Sequence, residues 1–247
     1  MNFVSKSSNC LYYLRYYLRF LFIWVAKLHL FTNFAAEVFS FHITMAMTDN
    51  FNKSSFGVRV NKELIGNLIA LLAHKCAPLC HTKLIKMMYL IDEKAIEDSG
   101  IPITWLDYKV WQYGPVDPAV FFFRDYFGDY VEGVRIEECG STPVTIIKPL
   151  REFDDSEFSD YDLEIIDKVI EECKDKTARE LVALTHKAGG PWDITKKRND
   201  LDFSIANISS VSVDMGVLVE SSASKQARYK ESCDHVAFMA AVKSKAV

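Results

Sequence analysis

Two early segments of the chain place apolar residues at the spacing of an α-helix. The first, NKELIGNLIALLAHK, begins at Asn61 and is followed by Pro78. Its leucines repeat on one face: Leu64, Leu68, Leu71 and Leu72. Because this period is helical and proline cannot continue a helix, the pattern predicts an amphipathic helix that ends before Pro78.

The second segment, TKLIKMMYLIDEKAIEDSG, has the same period. Its inward positions are Leu84, Met87, Met88 and Ile91. Thr82 carries a side chain suited to an N-cap, and Gly100 followed by Pro102 is a typical helix stop. We expect both helices to face one core.

The pattern changes to β-branched and aromatic residues between Ile101 and Tyr113, in the stretch IPITWLDYKVWQY. Two later segments, VEGVRIEE and TPVTIIKP, are further short strand candidates. Together they predict a small antiparallel β-sheet or hairpin beside the helices. The expected fold class is therefore α+β, mainly α.

The stretch VWQYGPVDPAV would carry the chain from a strand into a helix. Gly114 can take positive φ, and Pro115 has a fixed φ of its own, so this pair predicts a sharp turn. We expect Trp111 and Tyr113 to pack the corner.

A third helix should follow at once, because Asp117 is suited to an N-cap and Pro118 to the first helical position. Its sequence, PAVFFFRDYF, carries aromatic residues more than halfway around a helix. They are Phe121, Phe122, Phe123, Tyr126 and Phe127. Either the helix is buried on several sides, or part of it is a surface for a partner.

Two more helices are predicted near the end of the domain. Ser159 would cap the first, whose inward positions are Leu163, Ile166, Val169 and Ile170. Thr177 and Glu180 have the spacing of a capping box for the second, and the Gly-Gly-Pro run at 189–191 would stop it. Trp192 is then expected to anchor the outgoing chain.

Residues 1–47 differ from everything after them. The stretch LYYLRYYLRFLFIWVAKLHLF is aromatic and apolar, but Arg15, Arg19 and Lys27 interrupt it, whereas a membrane span needs about 20 apolar residues. Those charges and the missing cleavage site also fit a signal peptide poorly. We expect no stable membrane span, and interpret residues 1–44 as sequence translated from an over-early start. A membrane-surface helix is the second interpretation.

Composition points to one soluble globular domain with tails: a polar lead-in over 48–60, the domain over 61–200 and a variable C-terminal segment over 201–247. About half of the 247 residues are hydrophobic and a quarter are charged. Residues 1–47 hold four basic residues and one acidic residue, so the remainder has 25 basic against 32 acidic residues, or a net charge of −7. This balance argues against direct nucleic-acid binding through phosphates.

The cysteines form no disulfide framework, which favours reduced thiols in a cytoplasmic protein. They are Cys10, Cys76, Cys80, Cys139, Cys173 and Cys233. The segment HKCAPLCH, with His74, Cys76, Cys80 and His81, raises a zinc site as an alternative. Its spacing is wrong for a paired-Cys site and no second half exists, so we favour a helix end with two small buried thiols and expect neither metal nor cofactor.

Three other polar residues invite a functional reading. His186 is the best candidate for a catalytic base, but no nucleophile accompanies it, so we favour a structural histidine that helps to hold the Pro191-Trp192 return. Lys83 and Lys86 lie one helical turn apart. They mark either an anion or acidic-partner site or the solvated face of a helix.

Four segments in this order and spacing resemble the Panacea domain, a SocA-like domain associated with phage and with toxin–antitoxin gene pairs. They are TKLIKMMYLIDEKAIEDSGIPIT, YKVWQYGPVDPAVF, FSDYDLEIIDKVIEE and ARELVALTHKAGGPW. The resemblance covers roughly Asn61 to Lys197. The motif residues are Lys83, Leu84, Lys86, Tyr89, Trp111, Tyr113, Gly114, Pro115, Val116, Thr185, His186, Pro191 and Trp192.

The resemblance implies the antitoxin of a type II-like toxin–antitoxin pair. Such a protein would neutralise, by direct binding, a cognate toxin encoded by a neighbouring gene, and would not be an enzyme. Two alternatives stay open: a proteolytic adaptor for a toxin, and a hydrolase-like enzyme that uses His186. A homo-oligomer is compatible with the sequence.

The composition break at Met45 gives a first testable prediction. A chain that starts at Met45 or Met47 should unfold as cooperatively, and at the same temperature, as the full chain, because the aromatic N-terminal stretch lies outside the predicted core. Thermal unfolding of the two proteins side by side checks this. Loss of a cooperative transition in the shorter protein would show that the stretch belongs to the fold.

Overall fold

The computed structural model describes residues 61–136, 143–204 and 206–245. Within them the chain forms helices α1 (Lys62–Lys75), α2 (His81–Ser99), α3 (Pro118–Phe121), α4 (Phe123–Phe127), α5 (Asp160–Cys173), α6 (Ala178–Thr185), α7 (Pro191–Arg198) and α8 (Ala223–Lys245), and a 3-10 helix at Met215–Val219. The strands are β1 (Leu79–Cys80), β2 (Lys109–Trp111), β3 (Gly114–Val116), β4 (Val131–Ile136) and β5 (Val144–Pro149). The predicted fold class, α+β and mainly α, is confirmed. The interpretations of residues 1–47 and of the lead-in over 48–60 lie outside the described residues.

Helix α2 is the centre of the domain, because α5, α6, α8, β3 and the 3-10 helix all pack against it. Its C-terminal stop is the predicted one: Gly100 has a φ of 86°, and its N–H donates to the Ile96 carbonyl at 2.9 Å. The prediction of Thr82 as N-cap is wrong. Strand pairing of β1 with β5 ends at Cys80, so the helix begins directly after the strand, at His81.

Strands β1, β5 and β4 form an antiparallel sheet with β5 in the middle. Ile147 of β5 lies opposite Leu79 of β1 and Gly133 of β4, and it is buried. The two later strand predictions are thus confirmed. A second, two-stranded sheet is the hairpin of β2 and β3.

None of the residues 101–108 lies in a strand, so the strand prediction is wrong there and holds only from Lys109. The cause is Asp92, a fully buried carboxylate on α2. It accepts the N–H groups of Ile103 at 2.9 Å and Thr104 at 2.8 Å, and the hydroxyl of Tyr108 at 2.8 Å. These amides are bound by a side chain, so they are not available for a strand ladder.

The later helices begin where predicted. Ser159 forms a capping box with Asp162 at the start of α5, and Thr177 forms one with Glu180 at the start of α6. In α5, Leu163 is only half-buried and Ile165 is buried as well.

The predicted end of α6 at the Gly-Gly-Pro run is wrong. The helix ends at Thr185 with His186 as its C-cap, because Thr185 and His186 are held by contacts described below. Pro191 instead opens α7 as its first residue, after Gly190 as N-cap.

The helix predicted over PAVFFFRDYF begins as expected but is broken. Asp117 caps α3 by accepting from Ala119 N at 2.8 Å and Val120 N at 3.2 Å. The backbone at Phe122 then leaves the helical region, with φ −94° and ψ 37°, and α4 starts afterwards. Phe123 is buried, whereas Phe122 is half-buried, so the break distributes the aromatic run over more than one side.

Part of the C-terminal segment packs directly on the domain. It runs antiparallel to the outer edge of β2: Val110 N donates to Val211 O at 2.9 Å, and Gln112 N donates to Asn207 O at 2.8 Å. Val213 N donates to the Tyr108 carbonyl at 2.7 Å. The edge of the hairpin is therefore covered by main chain from 207–213.

The helices of the described residues include none that combines the length and the apolar character needed to cross a bilayer.

Candidate functional site

The hairpin of β2 and β3 is the element that places the motif residues. Trp111 pairs with Gly114, so the turn residues are Gln112 and Tyr113, and Gly114 follows with a φ of 100°. The turn thus comes before Gly114 and Pro115, which lie in β3, and not at them as predicted. Positive φ at Gly114 is still required, since a glycine in this conformation completes a tight hairpin turn.

The two aromatic residues of the hairpin differ in burial. Trp111 is 8% exposed and packs edge-on against Phe121 at 5.1 Å. Tyr113 is 65% exposed, so the prediction that it packs the corner is wrong. It lies in the two-residue turn between Trp111 and Gly114.

Lys86 is inside the protein, at 2% exposure, and its Nζ donates to the Pro115 carbonyl at 3.0 Å. Burial lowers the pKa of this amino group to about 7. Lys83 is also buried, and its Nζ donates to the carbonyl of Lys174 at the end of α5. The solvated-face interpretation is therefore wrong for both lysines, because helix α2 is covered on several sides. Each binds a main-chain carbonyl of a neighbouring element.

Gly114 is the point where three elements meet. A Cβ atom on this residue would lie 2.7 Å from Lys86 Nζ, 2.9 Å from His186 Cε1 and 3.0 Å from Thr185 Oγ1. Real Cβ atoms essentially never approach other atoms below 3.0 Å. A side chain at residue 114 would therefore force at least one of these neighbouring side chains, or the hairpin itself, to move.

His186 joins α6 to the hairpin. Its Nδ1 lies 2.6 Å from the Val182 carbonyl oxygen, and its Nε2 lies 3.2 Å from the Gln112 carbonyl oxygen. Its ring also packs against Trp192 at 4.1 Å. Both ring nitrogens therefore face main-chain carbonyl oxygens, one in α6 and one in the hairpin.

Trp192 joins α7 to the same hairpin. The side chain is 6% exposed, and its Nε1 donates to the Trp111 carbonyl at 3.0 Å. The main chain of the hairpin is thus bound by Lys86 from α2, His186 from α6 and Trp192 from α7. We call these three side chains, together with Trp111, Gly114, Pro115 and Thr185, the motif junction.

The remaining motif residues lie around the junction. Leu84 is fully buried in the core. Tyr89 is also fully buried, and its hydroxyl donates to Glu93 at 3.3 Å, which in turn lies 3.3 Å from Lys187 Nζ. Val116 and Pro191 are buried as well, and Tyr113 alone among the motif residues is exposed.

Asp92 and the C-terminal main chain at 207–213 were missed by the sequence analysis. A signal for Asp92 existed, since it lies four residues after Met88 and four before Ile96, both apolar. A carboxylate at that spacing lies on a buried face and needs internal donors. No comparable signal marks 207–213, because its hydrogen bonds to Tyr108, Val110 and Gln112 are made by main-chain atoms.

The histidines and cysteines of the segment HKCAPLCH have other surroundings than a ligand cluster. In the described parts of the chain no three His, Cys, Asp or Glu side chains converge as metal ligands. His74 Nε2 lies 3.2 Å from the Arg151 carbonyl oxygen instead. Cys76 is a free buried thiol, and burial raises its pKa.

Fold and junction together define a mainly helical domain whose helices α2, α6 and α7 surround one β-hairpin. Residues 84–193 match the family described as "Antitoxin SocA-like, Panacea domain". The chain is also 29% identical over 119 residues to "Antitoxin SocA" from Caulobacter vibrioides. That alignment covers 47% of this chain and 60% of the relative, and no solved structure matches the chain significantly. Residues 84–193 are thus similar to the SocA-like, Panacea domain.

The close approach at Gly114 gives a second prediction. Gly114→Ala should lower the free energy of unfolding by about 2 to 5 kcal/mol, because the substitution adds a steric clash to a backbone cost of about 1 to 2 kcal/mol. Gly189→Ala is the matched control, since Gly189 has a φ of 74° but open space around it. Urea unfolding measures both. Equal losses for the two variants would contradict the tight junction.

The pKa of Lys86 gives a third prediction. A buried lysine with a folded-state pKa of about 7 and an ordinary pKa of 10.5 binds fewer protons in the folded state between these values. Stability should therefore rise with pH across that window, at a slope approaching about 1.4 kcal/mol per pH unit. The free energy of unfolding of the wild-type protein, minus that of Lys86→Met, should therefore increase from pH 7 to pH 9.5.

Urea unfolding at several pH values measures this difference. Lys230→Met, which replaces an exposed lysine, is the control. Its free energy of unfolding should change with pH as that of the wild-type protein does. A constant difference between the wild-type protein and Lys86→Met across the range would show that Lys86 is not buried as a titrating group.

Proposed function

We propose that this protein is the antitoxin of a type II-like toxin–antitoxin pair and that it neutralises a cognate toxin by direct protein–protein binding in the cytoplasm. The observation that carries the proposal is the match of residues 84–193 to the SocA-like antitoxin family. The toxin would be the product of a neighbouring gene. Neither a metal nor a cofactor takes part in the proposed mechanism.

The arrangement of the motif residues supports binding over catalysis. Lys86, His186 and Trp192 direct their polar atoms at main-chain carbonyls of the hairpin. Side chains used in this way fix a surface but are not free to act on a substrate. The hydrolase-like alternative needs His186 as a base, and both nitrogens of that ring already face carbonyl oxygens.

Occlusion is the mechanism that such a surface would use. A preformed surface covers the active part of the toxin, and no covalent step is required. A proteolytic adaptor would also bind the toxin, but it would deliver the toxin for destruction. The two mechanisms differ in the fate of the toxin, which makes them separable by experiment.

The fourth prediction tests the function in cells. Expression of this protein together with the toxic neighbouring gene should restore the growth of cells that the toxin alone inhibits. The level of toxin protein on an immunoblot should stay unchanged. His186→Phe keeps a ring at this position and removes both nitrogens, so it should impair rescue only as far as it lowers the amount of folded protein. Co-expression of an unrelated protein at the same level is the control.

Two results would contradict the proposal. If the toxin disappears on co-expression and persists in a strain without energy-dependent proteases, the protein is an adaptor. If His186→Phe melts like the wild-type protein and binds the toxin equally, yet fails to protect cells, His186 has a chemical role.

A further inference from the structure

Tyr113 is the one exposed residue of the hairpin, residues 109–116. Val110, Trp111 and Val116 are at most 8% exposed, and Gly114 and Pro115 are buried. Tyr113 is 65% exposed. An isolated exposed aromatic residue is ordinary on a protein surface, so exposure alone identifies no site. The support beneath Tyr113 is what distinguishes it.

The backbone on both sides of Tyr113 is bound by three different helices. Before it, the Trp111 carbonyl accepts from Trp192 Nε1 at 3.0 Å, and the Gln112 carbonyl lies 3.2 Å from His186 Nε2. After it, the Pro115 carbonyl accepts from Lys86 Nζ at 3.0 Å. Side chains of α7, α6 and α2 therefore hold the hairpin from both ends of the turn.

The outer edge of the hairpin is closed too. Gln112 N donates to Asn207 O at 2.8 Å, so the residue directly before Tyr113 is bound through both its N–H and its carbonyl. Gly114, directly after Tyr113, is confined by Lys86, Thr185 and His186. The Tyr113 backbone is thus held between two fixed neighbours while its side chain stays in solvent.

A fixed backbone that presents a tyrosine is well suited to protein recognition. Tyrosine offers a large apolar ring with a polar tip, loses little conformational entropy on binding and is enriched among residues that dominate binding energy. A backbone that is already ordered avoids a further ordering cost when the partner binds. Leu184, on the last turn of α6 next to Thr185, adds a second exposed apolar residue on an element that supports the hairpin.

We infer that Tyr113 is the anchor through which this protein binds its toxin. The inference rests on the proposed antitoxin function and names the surface that carries it. The toxin site that fits Tyr113 is an apolar pocket with a hydrogen-bond acceptor at its end, which receives the phenol hydroxyl. The buried motif residues then serve binding indirectly, by fixing the position of this one side chain.

The fifth prediction measures the affinity of the full chain for the purified product of the neighbouring toxic gene by calorimetry. Tyr113→Ala should weaken binding by about 30-fold or more, the range of a dominant interface residue. Tyr113→Phe, which loses only the hydroxyl, should weaken it by about 3- to 10-fold. Both variants should keep the melting temperature of the wild-type protein, since the Tyr113 side chain is exposed.

Phe238→Ala is the matched control, because Phe238 is 64% exposed but lies on α8. It should bind the toxin like the wild-type protein. If the wild-type protein binds and Tyr113→Ala binds equally well, the Tyr113 inference fails while the antitoxin function stands. If the wild-type protein itself does not bind, the proposed function fails and the inference fails with it.

Discussion

The structure depends on one buried lysine. Lys86 places its amino group inside the protein at 2% exposure and directs it at the Pro115 carbonyl. Removing an amino group from water is costly, and here the cost appears as a pKa lowered to about 7. The position of the hairpin is tied to helix α2 through this contact, and α2 is the helix against which most of the domain packs.

Two other side chains also bind main-chain carbonyls of the hairpin, through ring nitrogens in place of an amino group. Trp192 and His186 also direct ring nitrogens at hairpin carbonyls, so side chains from α2, from the end of α6 and from α7 meet at one hairpin. A glycine at position 114 makes the convergence geometrically possible. This accounts for a motif that is rich in Lys, Trp, His, Gly and Pro, because Lys86, His186 and Trp192 direct their nitrogens at hairpin carbonyls. These residues hold the hairpin backbone in one conformation. The antitoxin function we propose requires a preformed binding surface and no chemical step.

Local chemistry made part of this fold predictable. The capping boxes at Ser159 and Thr177, the N-cap at Asp117 and the left-handed stop at Gly100 all act within a few residues, so the sequence pattern was sufficient. Long-range effects were not predictable in this way. Nothing local to Ile103 and Thr104 indicates that the Asp92 carboxylate binds their amides and replaces a strand.

In the candidate site, too, local features were predictable and long-range packing was not. The motif identified which residues belong to the site, but it did not indicate whether they are buried. The burial of Lys83 and Lys86 depends on helices that pack over them from elsewhere in the chain. The exposure of Tyr113 likewise depends on where the turn falls in the hairpin. The turn was expected at Gly114 and Pro115, and it lies two residues earlier, at Gln112 and Tyr113.

The most direct test of the junction is hydrogen exchange at the Trp192 indole N–H, followed by NMR in the full chain. This group donates to the Trp111 carbonyl in the interior, so it should exchange only when the whole domain unfolds. Its exchange free energy should equal the global free energy of unfolding from urea denaturation. An exchange free energy lower by about 2 kcal/mol or more would mean that the hairpin opens independently of the domain, and would contradict a junction that holds it rigid.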